Sequence, residues 1–184
     1  MALADSWQQP KRVNRLPAMS TNGKSIQGNS IKEWAAVYES STQYFLNLAR
    51  GVTADQLDVK HPDGWSARQI IHHLADSEAQ SYARLRRLVA EPEGSIIQGY
   101  DEGAWANEPK LAYADGDVTN SIAVYAAVRA ASLDLVKRLE EGDLEKFGEH
   151  TESGKYTIAR WLETYTKHPY DHGDQMVRAT KGQA

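Results

Sequence analysis

The sequence predicts an all-α fold, a four-helix bundle with a long crossover between helices two and three, and three observations carry that reading. Four segments repeat apolar residues at threes and fours, with no alternation of strand and helix patterns between them. Two of them open on a capping box, Ser30-Ile31-Lys32-Glu33 and Ser66-Ala67-Arg68-Gln69. There the serine hydroxyl takes the N3 amide and the N3 side chain reaches back. Residues 91–116 hold Pro92, Gly94, Gly99, Gly103, Pro109 and Gly116, a connection longer than a simple helix–helix turn and of the kind that crosses a bundle.

Composition bounds the class. The 184 residues suffice for one core, and 41% hydrophobic with 25% charged residues is ordinary globular usage rather than that of a disordered or fibrous chain. Twenty-one Lys+Arg against 25 Asp+Glu give a net charge of -4, which argues against an electrostatic nucleic-acid footprint. Arg84, Arg86 and Arg87 form the tight basic cluster. With no cysteine there is no disulfide, thiolate ligand or cysteine nucleophile, so any sulfur chemistry requires an external thiol. The first residues lack a sustained apolar run, and nowhere do about 18 apolar residues follow one another. A cytoplasmic protein with neither membrane nor nucleic-acid partner is expected.

Residues 1–28, rich in Ser, Asn, Gln and Gly without periodicity, read as a flexible tail, leaving 29–184 as the helical domain. Ile31, Trp34, Tyr38, Phe45 and Leu48 mark the first helix, which Gly51 ends. The second runs from Ser66 to about Ala90, burying Ala67, Ile70, Ile71, Leu74, Ser81, Leu85 and Leu88. The third is expected to take Asp117 as N-cap and to run past Val118, Ile122, Tyr125, Val128, Ser132, Leu135 and Leu139 to Gly142. Residues 147–156 are turn-rich, with a short hairpin tip at Ser153-Gly154 and no other strand pair predicted. The fourth helix starts near Thr157 and continues to about Lys181.

The fourth helix carries the chemistry. Its inward stripe reads Ile158, Trp161, Tyr165, His168, His172, Gln175 and Met176. Residues four apart lie about 5–6 Å from each other on one face, so His168 and His172 can reach one metal ion. On the second helix His72 and His73 point about 100° apart. His73 joins the edge of the buried stripe, whereas His72 shares a face with Arg68 and Asp76 and is expected in solvent. If the second and fourth helices are neighbours, His73, His168 and His172 form a three-imidazole site with open positions, the pattern of catalytic metal sites. Otherwise His73 is a core-edge histidine bonded to a carboxylate or carbonyl. Pro169 either kinks the helix or starts a new one, frees the Tyr165 carbonyl, and leaves the His168–His172 turn intact in both cases. Neither helix offers HExxH or a paired Glu-x-x-His. Asp76 and Asp171 are the candidate catalytic bases, each equally readable as a supporting or surface charge. Trp34, Trp65 and Trp161 read as core aromatics, and Tyr100 and Trp105 either wall a pocket or pin the crossover.

These segments together resemble the DinB superfamily and, within it, the YfiT-like branch of metal-dependent hydrolases and bacillithiol S-transferases. Gly64-Trp65-Ser66 followed by Ile71-His72-His73-Leu74-Ala75-Asp76-Ser77 is similar to its tryptophan-then-HLADS segment, and Tyr100-Asp101-Glu102-Gly103-Ala104-Trp105-Ala106 to its YDExxWA segment. Glu149-His150-Thr151-Glu152-Ser153-Gly154 resembles its His-Pro-Glu-x-Gly turn, and Tyr165-x-x-His168-x3-His172 its YxxHxxHH signature. The resemblance implies a four-helix bundle, often a homodimer, with one divalent metal ion, zinc or nickel, on His73, His168 and His172. Asp171, Thr151 and Pro169 depart from the family pattern. A metal on neutral imidazoles activates either a low-molecular-weight thiol such as bacillithiol, for transfer to a small-molecule electrophile, or a water for hydrolysis of an amide or ester. A non-catalytic metal-binding dimer is the third reading.

Overall fold

The computed structural model describes residues 30–183, so the tail expected over 1–28 lies outside the described residues. In chain order it places α1 (Ile31–Gly51), α2 (Ala67–Ala90), β1 (Ile96–Ile97), α3 (Glu102–Asn107), α4 (Thr119–Val136), β2 (Phe147–His150), β3 (Gly154–Thr157) and α5 (Ile158–Ala179). Single 3-10 turns stand at Pro109–Leu111 and Glu141–Glu145. Both capping boxes form as the sequence predicts, on Ser30/Glu33 and Ser66/Gln69. Thr157 caps α5 by accepting the Arg160 amide at 3.1 Å. Among the described residues no helix is long and apolar enough to cross a membrane.

The four long helices form a bundle in which α1 and α2 each pack against α4 and α5, leaving the sequential pair α1 and α2 on a diagonal. This arrangement makes α2 and α5 neighbours, the condition on which a three-histidine site depends. One core layer is built around Tyr38, Leu85, Ile158, Trp161 and Leu162, and a second around Phe45, Ile70, Leu74, Tyr125 and Met176. Burying each large apolar side chain is worth about 1.5–3 kcal/mol, so these layers, rather than the small sheet, hold the bundle together.

Three expectations are corrected. The third long helix, α4, begins one residue later than predicted: Asp117 Oδ1 accepts the Thr119 amide at 2.7 Å, but Val118 occupies the cap position. It also ends at Val136 rather than Gly142. Leu139 is still buried, because the turn after the helix folds back on the core, and its spacing mimics another helical turn. Third, a strand pair exists beyond the hairpin. β2 and β3 pair antiparallel, and β1, from the crossover, adds parallel to β2 with Ile96 opposite Glu149 and Ile97 opposite His150.

That junction is tight. A Cβ on Gly148 would lie 2.6 Å from both the Ser95 carbonyl oxygen and Ile97 Cγ1. Backbone must therefore move to admit any side chain. Gly148→Ala is expected to cost about 1–3 kcal/mol, as overpacked cores do. Equilibrium urea unfolding followed by helical ellipticity checks this, and an unchanged midpoint would show that β1 separates from β2 without cost.

α5 runs unbroken through Pro169. The proline supplies no amide to the Tyr165 carbonyl. That oxygen instead accepts Nη1 of Arg129, from α4, at 2.6 Å. The fully buried guanidinium has a partner for every N–H: Thr42 Oγ1 at 2.8 Å, Glu78 Oε1 at 2.9 Å, the Tyr165 and Tyr38 carbonyls at 2.6 and 2.9 Å, and Ser41 Oγ at 2.8 Å. It also lies over the Tyr38 ring, 3.5 Å from its centroid. One side chain thus ties α1, α2 and α4 to the turn of α5 that carries His168.

Candidate metal centre

α2 contributes His73 and α5 contributes His168 and His172. One ring nitrogen from each lies within 4.8 Å of the others. The ring centroids are 5.4 Å apart for His73 and His168, 4.7 Å for His73 and His172, and 4.5 Å for His168 and His172. The two α5 rings sit one turn apart, and the packing of α2 against α5 brings in the third. Trp65, ahead of α2, closes the other side of His73 with its ring centroid 5.0 Å away. It is half-buried and packs against the second core layer as well as the site, whereas Trp34 and Trp161 are fully buried in the core.

Hydrogen bonding distinguishes this cluster from a packed histidine core. Both ring nitrogens of His73 and Nδ1 of His168 are buried without a partner. An unpaired buried polar atom costs about 1–3 kcal/mol, so its persistence calls for a ligand. The carboxylate or carbonyl bond that the alternative reading of His73 required is not formed. His172 Nδ1 meets the Gln175 side-chain oxygen at 2.8 Å. A carbonyl oxygen only accepts, so Nδ1 carries the proton and Nε2 keeps its lone pair, the tautomer suited to coordination. The donor set fits zinc or nickel, both of which take imidazole nitrogen.

Electrostatics favours the same state. Burial, reinforced by His172, pulls His73 from 6.5 down to about 3. Burial also lowers His168 well below its ordinary value, with His172 and His73 adding to it, and it lowers His172. All three are therefore neutral in the folded chain at pH 7. In the unfolded chain they titrate near 6.5, so below that pH the unfolded state binds more protons. Metal-free protein is accordingly expected to be most stable above about pH 6.5 and to lose stability as pH falls from there toward 3. Each such histidine contributes up to about 1.4 kcal/mol per pH unit. Denaturant midpoints of the metal-free chain between pH 7.5 and 5 check this; a flat profile would refute it.

His72 is not in solvent. It is only 7% exposed, with Nδ1 2.8 Å from Ser121 Oγ and Nε2 3.3 Å from the Gly116 carbonyl oxygen. The face it shares with Arg68 is covered by the end of the crossover and the first turn of α4, which helical periodicity in α2 does not reveal. His72→Ala is expected to cost about 1–3 kcal/mol by leaving the Ser121 hydroxyl without its partner, the Gly116 carbonyl keeping its bond from Arg68, while bound metal per chain stays unchanged. Equal loss of metal from His72→Ala and His73→Ala would contradict this assignment.

The two aspartates lie apart from the cluster. Asp171 is on the exposed side of α5, paired with Lys167, and Asp76 accepts the Tyr113 hydroxyl at 2.8 Å. Beside His168 opens a cleft of about 170 Å³, walled by Ser77 and Arg84 of α2, Tyr165 of α5 and Tyr100 of the crossover. Glu102, His150, Glu152 and Thr164 complete it. Tyr100 thus does wall a pocket, and Trp105 supports it from behind with ring centroids 4.6 Å apart. Partial burial raises the Glu102 carboxyl above its ordinary value, opposed by Arg84 and reinforced by Glu152. Sequence reasoning did not assign Arg84, Glu102, His150 or Glu152 to a site. The signals present were the basic cluster containing Arg84 and the two loop motifs containing Glu102 and Glu152.

The family profile described as the DinB superfamily matches residues 38–176. A relative from Oceanobacillus iheyensis, named a putative metal-dependent hydrolase, is 32% identical over 143 residues, covering 77% of this chain and 81% of its own. The putative metal-dependent hydrolase YfiT of Bacillus subtilis is 29% identical over 153 residues, 81% of this chain and 83% of its own. The solved structure of that protein, described as a probable metal-dependent hydrolase with an unusual four-helix bundle topology, superposes with a TM-score of 0.73 at 24% identity. It covers 94% of this chain and 95% of that one.

Proposed function

The chain belongs to the DinB superfamily, and from that premise we propose that it is a metal-dependent thiol S-transferase, joining a low-molecular-weight thiol such as bacillithiol to a small electrophile. The observation that carries the reading is the set of buried, unpartnered imidazole nitrogens on His73 and His168, beside a His172 whose tautomer Gln175 fixes. These three residues would hold one divalent ion, zinc or nickel. Such an ion, kept at full charge by neutral ligands, supplies Lewis acidity that lowers the pKa of a bound thiol or water. The remaining work falls to the chain. Trp65 shields His73, the Arg129 network holds the ligand turn of α5, and Arg84 fixes the wall of the cleft by donating to the Tyr165 hydroxyl at 2.9 Å. The lack of cysteine leaves no internal thiol to compete for the site.

Hydrolysis of an amide or ester is the second reading. Glu102 supports it: a carboxyl with a raised pKa in the cleft suits proton transfer to a leaving group. The test gives zinc- or nickel-loaded protein a chlorinated aromatic electrophile with thiol, and separately a series of esters and amides. Metal-dependent thioether formation with release of chloride supports transfer. Thiol-independent ester or amide cleavage, with no thioether, would establish hydrolysis instead. A homodimer belongs to the same proposal, on the strength of the family resemblance, and sedimentation velocity tests it.

A further inference from the structure

Resting on the three-histidine metal site of the proposed function, we infer that Arg129 is a positioning residue for that site: through the carbonyl that Pro169 frees, it sets where the His168–His172 turn stands relative to His73. Neither α5 ligand is placed by a bond of its own to another helix, since His168 Nδ1 has no partner and His172 bonds to Gln175 within α5. Their positions therefore follow the backbone of the turn that bears them. His73 stands on α2, with both ring nitrogens unpartnered. The fit of three imidazoles to one ion thus depends on the spacing and rotation of α5 against α2, and a displacement of about 1 Å is enough to spoil it.

One atom of Arg129 spans that gap. Its Nη1 donates both to Glu78 Oε1 on α2, at 2.9 Å, and to the Tyr165 carbonyl on α5, at 2.6 Å. Glu78 lies five residues beyond His73 and Tyr165 three before His168, so each end of the bridge stands within about a turn and a half of a ligand. Both side chains are buried, at 0% and 1% exposure, so water does not compete for the bridge. In an uninterrupted helix the Tyr165 carbonyl would take the amide of residue 169. Proline has no amide to give and its ring crowds that carbonyl, which leaves the oxygen to the guanidinium. The other end of the turn is set by packing. A Cβ on Gly173 would lie 2.5 Å from Tyr44 Cε1, so a side chain of α1 closes directly on the backbone after His172. Proline and glycine are the two residues least suited to a helix interior. In α5 each occurs once, directly after a ligand histidine, and each is met there by a side chain from another helix.

The test measures zinc affinity by competition with a chelator, and ligand geometry by the visible absorption of cobalt(II)-loaded protein. Pro169→Ala strands no group and returns an amide to the Tyr165 carbonyl. It is expected to keep or raise the thermal midpoint, as removal of an interior proline does, and yet to weaken zinc by about threefold or more and shift the cobalt bands. Arg129→Met is made together with Glu78→Gln, so that no buried charge is stranded, and is compared with Glu78→Gln alone. With proline at 169 it is expected to weaken zinc by about tenfold or more, the scale on which supporting groups act on metal affinity. With alanine at 169 the loss should shrink to less than about threefold, because the new amide then serves the carbonyl in place of the guanidinium. A residue that only stabilises the fold would move the midpoint and leave the metal untouched. Parental zinc affinity and cobalt bands in Pro169→Ala, or an equal loss from Arg129→Met with either residue at 169, would overturn this inference and leave the metal site standing. A parent that binds no zinc would overturn both.

Discussion

Replacing His168 and His172 together by alanine is expected to take bound zinc or nickel from about one equivalent per chain to below about a tenth. Each imidazole contributes a ligand, and the remaining His73 offers a single nitrogen, which does not retain a metal through purification. Neither residue supports the fold through hydrogen bonds to other helices: His168 Nδ1 has no partner, and His172 bonds within its own helix to Gln175. The variant should therefore keep its helical ellipticity, separating loss of the site from loss of the fold. Elemental mass spectrometry of tag-free protein after incubation with each metal makes the measurement. A folded variant that still binds one equivalent would place the metal elsewhere.

The second large effect concerns a residue that touches no ligand. Arg129→Met is expected to destabilise the protein by about 3–5 kcal/mol, because it strands the Glu78 carboxylate, 1% exposed, without its countercharge. Four further acceptors lose the guanidinium in the same step: the Tyr38 and Tyr165 carbonyls, Ser41 Oγ and Thr42 Oγ1. Pairing the change with Glu78→Gln removes the stranded charge and should recover part of the loss, whereas Glu78→Gln alone should cost less than Arg129→Met. Thermal unfolding of the three variants tests the order. A loss below about 1 kcal/mol in Arg129→Met would mean that water reaches the network and that the Tyr165 carbonyl does not depend on the guanidinium.

This network marks where local pattern stops being informative. Pro169 announces a missing bond at Tyr165, and that much is legible in one segment. Which group fills it is not, since Arg129 lies on another helix and sits in an alanine-rich stretch where a lone arginine looks solvated. The same holds for His72, whose exposure was misjudged because its cover comes from Gly116 and Ser121. β1 is two residues long and has no period of its own; only the strand it joins makes it a strand.

What the sequence determined by itself was local and periodic. Hydroxyl-to-amide caps placed the starts of α1, α2 and α5, apolar spacing placed their buried faces, and a four-residue interval put His168 and His172 on one side of α5. These follow from bonds and contacts within a turn or two of the chain. The tertiary structure alone decided that α1 and α2 lie diagonally, that α2 therefore borders α5, and that His73 closes on the other two histidines. It alone brought Glu102 and Glu152 to one cleft. Such outcomes depend on how whole faces pack across the bundle, and a side chain's partner on another element leaves no mark on the spacing of its own.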